Sequence, residues 1–196
     1  MARMTIHIVI FEGFDELDAI APYELLVAAG LETRLVVLAG RDLRVRARHG
    51  LVLEAHGTIT AADVKQGDWV VAVGGGYVAN ATTGVKPEIA RGELPAFFTA
   101  ARASGAALGS VCTGAMLLSA AGLTKGRRAT THHTATADLA AQGATLVDAR
   151  VVDDGDLVTV GGVTSGLDFA LHLIGRLLGA DARAKAEARA EYPPPI

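Results

Sequence analysis

The sequence predicts a doubly wound α/β fold in a single domain: a mostly parallel sheet sandwiched by helices, with a small antiparallel hairpin. Three observations predict it. Short apolar, β-branched runs alternate along the chain with segments of helical periodicity. The first run, Met4 to Phe11, is polar only at Thr5 and His7, as in a strand buried on both faces. The runs Trp69 to Val73 and Leu157 to Val160 lead directly into Gly74-Gly75-Gly76 and Gly161-Gly162, where the backbone turns sharply at the carboxyl end of a strand.

The totals fit this reading. The 196 residues suit one domain spanning 1–196, and 51% hydrophobic residues supply a large core. A net charge of -3 argues against nucleic acid or an anionic membrane as a partner. The single cysteine, Cys112, forms no internal disulfide and fits a cytoplasmic protein. The N-terminal apolar run is too short to span a membrane and carries no small-residue cleavage site.

The elements follow in order. Leu17 to Ala29 has apolar residues at helical spacing, with Pro22 in its opening turn and Gly30 as its stop. Thr33 to Ala39 is a second buried strand, which gives a β-α-β unit with a right-handed crossover. Leu43 to Arg48 and Leu51 to Ala55 alternate around His49-Gly50, the pattern of a hairpin lying on the sheet. Its arginines, with Arg41, read as a solvated edge guarding against strand addition.

Trp69 to Val73 is a strand, and the three glycines after it permit close approach to a ligand. They do not match G-x-G-x-x-G, which argues against a dinucleotide site. Pro87 to Ser104 is one helix stopped by Gly105. Arg127 to Thr131 is a short strand and His133 to Ala141 a helix. Thr145 to Val147, Val151-Val152 and Leu157 to Val160 are late strands. Leu167 to Leu178 is an amphipathic core helix. Asp181 to Ala190 is a polar helical tail, and Tyr192 to Ile196 an extended end.

The chemistry centres on Ala106 to Gly122. A short apolar strand ends at Cys112 and passes at once into an Ala-, Leu- and Met-rich helix closed by Gly122. Such a turn displays its residue at the tip of a sheet, as in a nucleophile elbow. The first N–H groups of the helix then favour the thiolate of Cys112. A small buried hydrophobe is the alternative use of a lone cysteine, and context alone leaves both open.

The stretch S-V-C-T-G-A-M-L-L-S-A-A-G-L-T-K-G-R-R-A-T-T-H-H resembles the nucleophile region of the ThiJ/PfpI superfamily, relatives of class I glutamine amidotransferases. Within it the sequence is most similar to the isocyanide hydratase branch. The resemblance extends to F-D-E-L-D-A-I-A-P-Y-E, to G-L-V-L-E-A, to V-V-D-D-G-D-L-V-T-V-G-G-V-T-S-G-L-D-F-A-L and to the terminal E-Y-P-P-P. It implies a flavodoxin-like fold, a homodimer and a cysteine on a strained elbow beside a carboxylic acid. Asp18 occupies the position of that acid; its ordinary role is helix N-terminal charge.

The branches differ in the partner of the cysteine. Glutamine amidotransferases use a late His-x-Glu, but this chain has Val163-Thr164-Ser165 in that region. PfpI-type peptidases place a histidine directly after the cysteine, where Thr113 stands here. What remains is Cys112, Thr113 and Asp18, a set suited to hydration of an isocyanide to an N-substituted formamide. Cys112 is the nucleophile, Asp18 the general acid, and Thr113 a hydroxyl donor. The Gly75 and Gly76 N–H groups form an anion-stabilising pocket. Tyr77, Val78 and Ile20 are its apolar walls.

His132 lies near the pocket rim by resemblance, and His133 replaces an aromatic there. Adjacent histidines point to different faces of regular structure, and no metal or other cofactor is called for. Two other readings compete: a related small-molecule enzyme acting on an aldehyde or carbonyl, and a redox-sensing or ligand-binding domain using the same cysteine.

Overall fold

The computed structural model describes residues 4–192. The elements in order are β1 (Ile6–Val9), α1 (Glu16–Ala28), β2 (Thr33–Leu38), β3 (Arg44–Arg46), β4 (Val52–Glu54), β5 (Thr58–Ile59), β6 (Trp69–Ala72), α2 (Val85–Arg91), α3 (Glu93–Ala103), β7 (Ala107–Ser110), α4 (Ala115–Ala120), β8 (Arg128–Ala129), α5 (Thr136–Ala141), β9 (Thr145–Leu146), β10 (Val151–Asp153), β11 (Leu157–Val160), α6 (Ser165–Leu178) and α7 (Ala180–Ala190).

Seven strands form one sheet in the order β10-β11-β7-β6-β1-β2-β5. Every pairing is parallel except β10 with β11. The central strands are buried on both faces, which explains their unbroken apolar sequence. α1, α6 and α7 pack together, and α2, α3 and α4 form a second group. α6 carries the buried Phe169, Leu171, Leu173 and Ile174, so it is a core helix. This is the predicted doubly wound sandwich. Its strand order reverses between β1 and β6, the kind of crevice where open α/β sheets bind ligands.

Four local readings change. The segment read as one helix from Pro87 to Ser104 is two, α2 and α3, broken at Gly92 with φ 79. Pro95 has no N–H to give to the Arg91 carbonyl and sits in the first turn of α3, where that N–H is not needed. Pro22 lies inside α1 rather than in its opening turn, because the helix starts at Glu16. The hairpin β3–β4 forms its own two-stranded sheet. Gly13 N–H donates to the Arg46 carbonyl and Arg48 N–H to the Phe14 carbonyl, so the hairpin is tied to the β1–α1 loop and not to the sheet edge. The edge strand is β5, which apolar patterning did not reveal because it has only two residues. Finally, β8 and β9 pair in a separate parallel sheet. The expected extended end beyond Tyr192 lies outside the described residues.

Candidate active site

Three strand ends converge on the site. β1 leads into α1, which carries Asp18; β6 leads into Gly74-Gly75-Gly76; β7 leads into Cys112 and Thr113. Cys112 adopts φ 55, a left-handed conformation that a β-carbon disfavours. Its backbone is clamped on both sides. The Cys112 N–H donates to the Gly161 carbonyl at 2.8 Å, and Thr131 Oγ1 donates to the Cys112 carbonyl at 2.8 Å. A single 3-10 turn, Cys112–Gly114, follows before α4 begins.

The glycines of S-V-C-T-G and of G-G-G have a steric reason. A Cβ on Gly114 would lie 2.1 Å from the Ala72 carbonyl oxygen. A Cβ on Gly74 would lie 2.6 Å from the Thr113 nitrogen and 2.8 Å from Asp18 Oδ2. The elbow and the β6 end therefore touch backbone to backbone, and Asp18 is drawn against both.

Asp18 is fully buried, and its Oδ2 accepts the Gly74 N–H at 2.9 Å. Its Oδ1 is buried with no hydrogen-bond partner. Burial first, and the nearby Asp15 charge second, push the Asp18 carboxyl up to about 8. The Cys112 thiol is pushed up by burial and then by the Asp18 charge. The Thr113 N–H and hydroxyl favour the thiolate but do not outweigh burial. Burial and the Asp18 charge thus act against the expected helix-stabilised thiolate, and burial favours the protonated form of both groups. The pair holds its first negative charge jointly, as interacting acids do.

Cys112 opens into a cavity of about 230 Å³ lined by Asp15, Arg48, Gly75, Gly76, Tyr77, Val78, Thr113, His132, Thr134 and Val163. The fold thus gathers Cys112, Thr113, Gly75, Gly76, Tyr77 and His132 around one space, with Asp18 packed beneath them. Ile20 does not line it. The Gly75 N–H donates to Thr113 Oγ1 at 3.1 Å, so it is already committed. The Gly76 N–H has no hydrogen-bond partner among the described residues.

Tyr77 donates to Asp138 at 2.8 Å, and burial with that carboxylate pushes its hydroxyl up to about 12. His132 Nδ1 lies 2.9 Å from Thr134 Oγ1. Burial and then the neighbouring His133 lower its pKa, so it is neutral at pH 7. The rings of His132 and His133 do not diverge as expected: their centroids are 4.2 Å apart with the planes tilted by 37°, His132 being the N-cap of the 3-10 turn that His133 begins.

Asp15, Arg48, Thr134 and Val163 were not apparent as lining residues in the sequence. The signal available for Arg48 was its place beside His49-Gly50 at the hairpin tip. Among the described residues, Asp15, Glu16 and His49 bring ligand atoms within 4.8 Å of one another. Glu16 Oε1 there already accepts the His49 N–H at 2.7 Å. No helix among the described residues is long and apolar enough to cross a membrane.

Comparison with known proteins agrees with this fold. The chain is 38% identical over 192 residues to the isonitrile hydratase of Pseudomonas putida, covering 97% of this chain and 79% of the relative. It is 24% identical over 190 residues to the Parkinson disease protein 7 homolog of Danio rerio, covering 96% and 97%. The crystal structure of a ThiJ/PfpI family protein from Pseudomonas syringae superposes with a TM-score of 0.84 at 28% identity, covering 100% of this chain and 78% of that one. Schizosaccharomyces pombe DJ-1, at 18% identity, shares the fold with a TM-score of 0.79 over 97% and 100%. The model of the DJ-1/PfpI family matches residues 4–176, and the chain belongs to that family.

Proposed function

We propose that this protein is an isocyanide hydratase, adding water to an isocyanide carbon to give an N-substituted formamide. The observation that carries the reading is the buried carboxyl of Asp18 set beside Cys112 and Thr113 at a strained elbow that opens into a small cavity. Similarity to an isonitrile hydratase over nearly the whole chain supports it.

The reactive form is the pair with one proton, thiolate on Cys112 and acid on Asp18. The thiolate attacks the terminal carbon, forming an S–C bond, while Asp18 gives its proton to that carbon. The product of this step is a thioimidate. Water then adds to the carbon–nitrogen double bond; its oxygen bonds carbon, and one proton reaches nitrogen by way of Asp18. Collapse breaks the S–C bond, returns the thiolate and leaves the hydroxyl proton on Asp18. The sum is one isocyanide and one water in, one formamide out.

Thr113 and Gly76 replace the expected Gly75–Gly76 donor pair. The Gly75 N–H serves Thr113 instead and fixes its hydroxyl. Thr113 N–H and Gly76 N–H are the donors proposed for charge that develops at the substrate. A small cavity with Val78 and Val163 in its walls suits a compact alkyl or aryl isocyanide. The working assembly in this reading is a homodimer.

The test is formamide formation from cyclohexyl isocyanide, followed by NMR in wild type, Cys112→Ser and Asp18→Asn, with methylglyoxal as a parallel substrate. Formamide from wild type alone is expected. Undiminished turnover by Cys112→Ser, or turnover of methylglyoxal alone, would overturn the reading.

A further inference from the structure

The cavity carries one arginine, Arg48, and one carboxylate, Asp15, which form no ion pair with each other. Arg48 lines it beside Cys112, and its guanidinium makes no ion pair among the described residues. Its place is built rather than incidental. The Arg48 N–H donates to the Phe14 carbonyl at 2.8 Å. On either side, Ala47 is buried and the His49 N–H donates to Glu16 Oε1 at 2.7 Å. The hairpin tip is thus pinned to the start of α1, which holds the base of this side chain at the mouth of the cavity.

The other arginines of the segment are used differently. Arg41 pairs with the buried Glu88 at 2.9 Å and with Glu93 at 2.7 Å. The reading of the whole group as a solvated edge therefore fails at Arg41, whereas Arg48 stays exposed and lines the cavity as well.

The remaining charges around the cavity do not answer Arg48. Asp15 also lines it but makes no ion pair with Arg48; its side chain caps no N–H of α1 and lies 3.9 Å from His49 Nε2. Asp18 keeps its proton at neutral pH, and His132 is neutral. Behind the Tyr77 wall, Lys86 lies 5.0 Å above the ring and Asp138 takes the hydroxyl.

We infer that Arg48 is a specificity-determining residue that selects substrates carrying a carboxylate a short chain away from the atom that meets Cys112. A planar guanidinium binds a carboxylate through two parallel hydrogen bonds, which also fixes orientation. With the hydratase reading, on which this part rests, the preferred substrate is an isocyano acid and the product an N-formyl amino acid. The preference for an anion stands apart from that reading, because it concerns any small electrophile reaching Cys112.

The experiment uses two alkylating reagents of nearly equal size. Iodoacetate is an anion and iodoacetamide is neutral; with either, the sulfur bonds the methylene carbon and iodide leaves. Rate constants at Cys112 are measured at about pH 8 and low ionic strength in wild type, Arg48→Gln and Arg48→Lys. The iodoacetate-to-iodoacetamide rate ratio is expected to be about tenfold higher in wild type than in Arg48→Gln, with Arg48→Lys between them. Equal ratios in wild type and Arg48→Gln would overturn the inference.

A second arm compares isocyanoacetate with its methyl ester. Arg48→Gln is expected to raise KM for the acid several-fold more than for the ester. A ratio shift without turnover of either isocyanide would keep the anion preference and reject the isocyano group. Turnover with no Arg48 dependence in either arm would keep the hydratase and reject Arg48.

Discussion

Asp18 Oδ2 accepts the Gly74 N–H at 2.9 Å, which ties the acid of α1 to the glycine turn that ends β6. That bond holds a fully buried carboxyl group whose second oxygen has no hydrogen-bond partner among the described residues. A side chain of this kind is placed for chemistry at a cost in stability.

The first prediction is that cost. The Asp18 carboxyl keeps its proton to about pH 8 when folded and releases it near 3.8 when unfolded. Its contribution to stability is therefore fully present below about pH 4 and is lost as pH rises through 8. Asp18→Asn keeps an oxygen for the Gly74 N–H and has nothing to ionise. It is expected to be about as stable as wild type near pH 4 and more stable by roughly 2–4 kcal/mol near pH 7, while its turnover falls at least about a hundredfold. Denaturant melts across that pH range check it; equal stability of the two proteins at pH 7 would refute it.

The second prediction concerns the shared ionisation. Burial raises the pKa of both groups; the Asp18 charge raises Cys112 further, while the Cys112 thiol lowers Asp18. Alkylation of wild type by iodoacetamide is expected to climb about tenfold per pH unit below 8, then to bend as the pair loses its first proton. A second rise follows at higher pH. Asp18→Asn leaves one titrating group and a single ionisation. A wild-type rate already flat from pH 6 upward would mean a preformed thiolate and exclude this account.

Two glycines separate steric need from conformational need. Gly114 faces the Ala72 carbonyl oxygen, which an added Cβ would reach at 2.1 Å. Gly122 sits at φ 74 with nothing within 4 Å. Gly114→Ala is expected to lose about 3 kcal/mol or more, together with all reactivity at Cys112. Gly122→Ala is expected to lose about 1 kcal/mol, the strain of a left-handed alanine, and to keep the reactivity. Thermal melts and iodoacetamide labelling distinguish them.

These contrasts explain what the sequence could and could not tell. Unbroken apolar runs such as Trp69–Ala72 are legible because a strand covered on both faces leaves no polar position. Cys112, Thr113 and Asp18 were legible as a set through their flanking motifs. The state of charge was not: the turn at Cys112 predicts a thiolate, and burial with the Asp18 charge, both properties of the assembled site, acts against it. Arg48 was equally hidden. It reads as part of an exposed edge and is exposed; only the assembled fold, with the hairpin tip bonded to Phe14 and Glu16, sets it at the cavity. The commitment of the Gly75 N–H to Thr113 is likewise a contact across 38 residues.

The last prediction tests that commitment. Thr113 Oγ1 is the acceptor for the Gly75 N–H, and the same hydroxyl favours negative charge on Cys112. Thr113→Ser keeps the oxygen, whereas Thr113→Val keeps the shape and removes it. A buried N–H left without its acceptor costs about 1–3 kcal/mol, so the valine variant is expected to melt lower by several degrees. It should also alkylate more slowly at pH 8, since one group that favours the thiolate is gone. The serine variant is expected to recover most of both properties. If serine and valine behave alike, the hydroxyl is doing neither task, and Thr113 matters only for the backbone N–H that every residue but proline supplies.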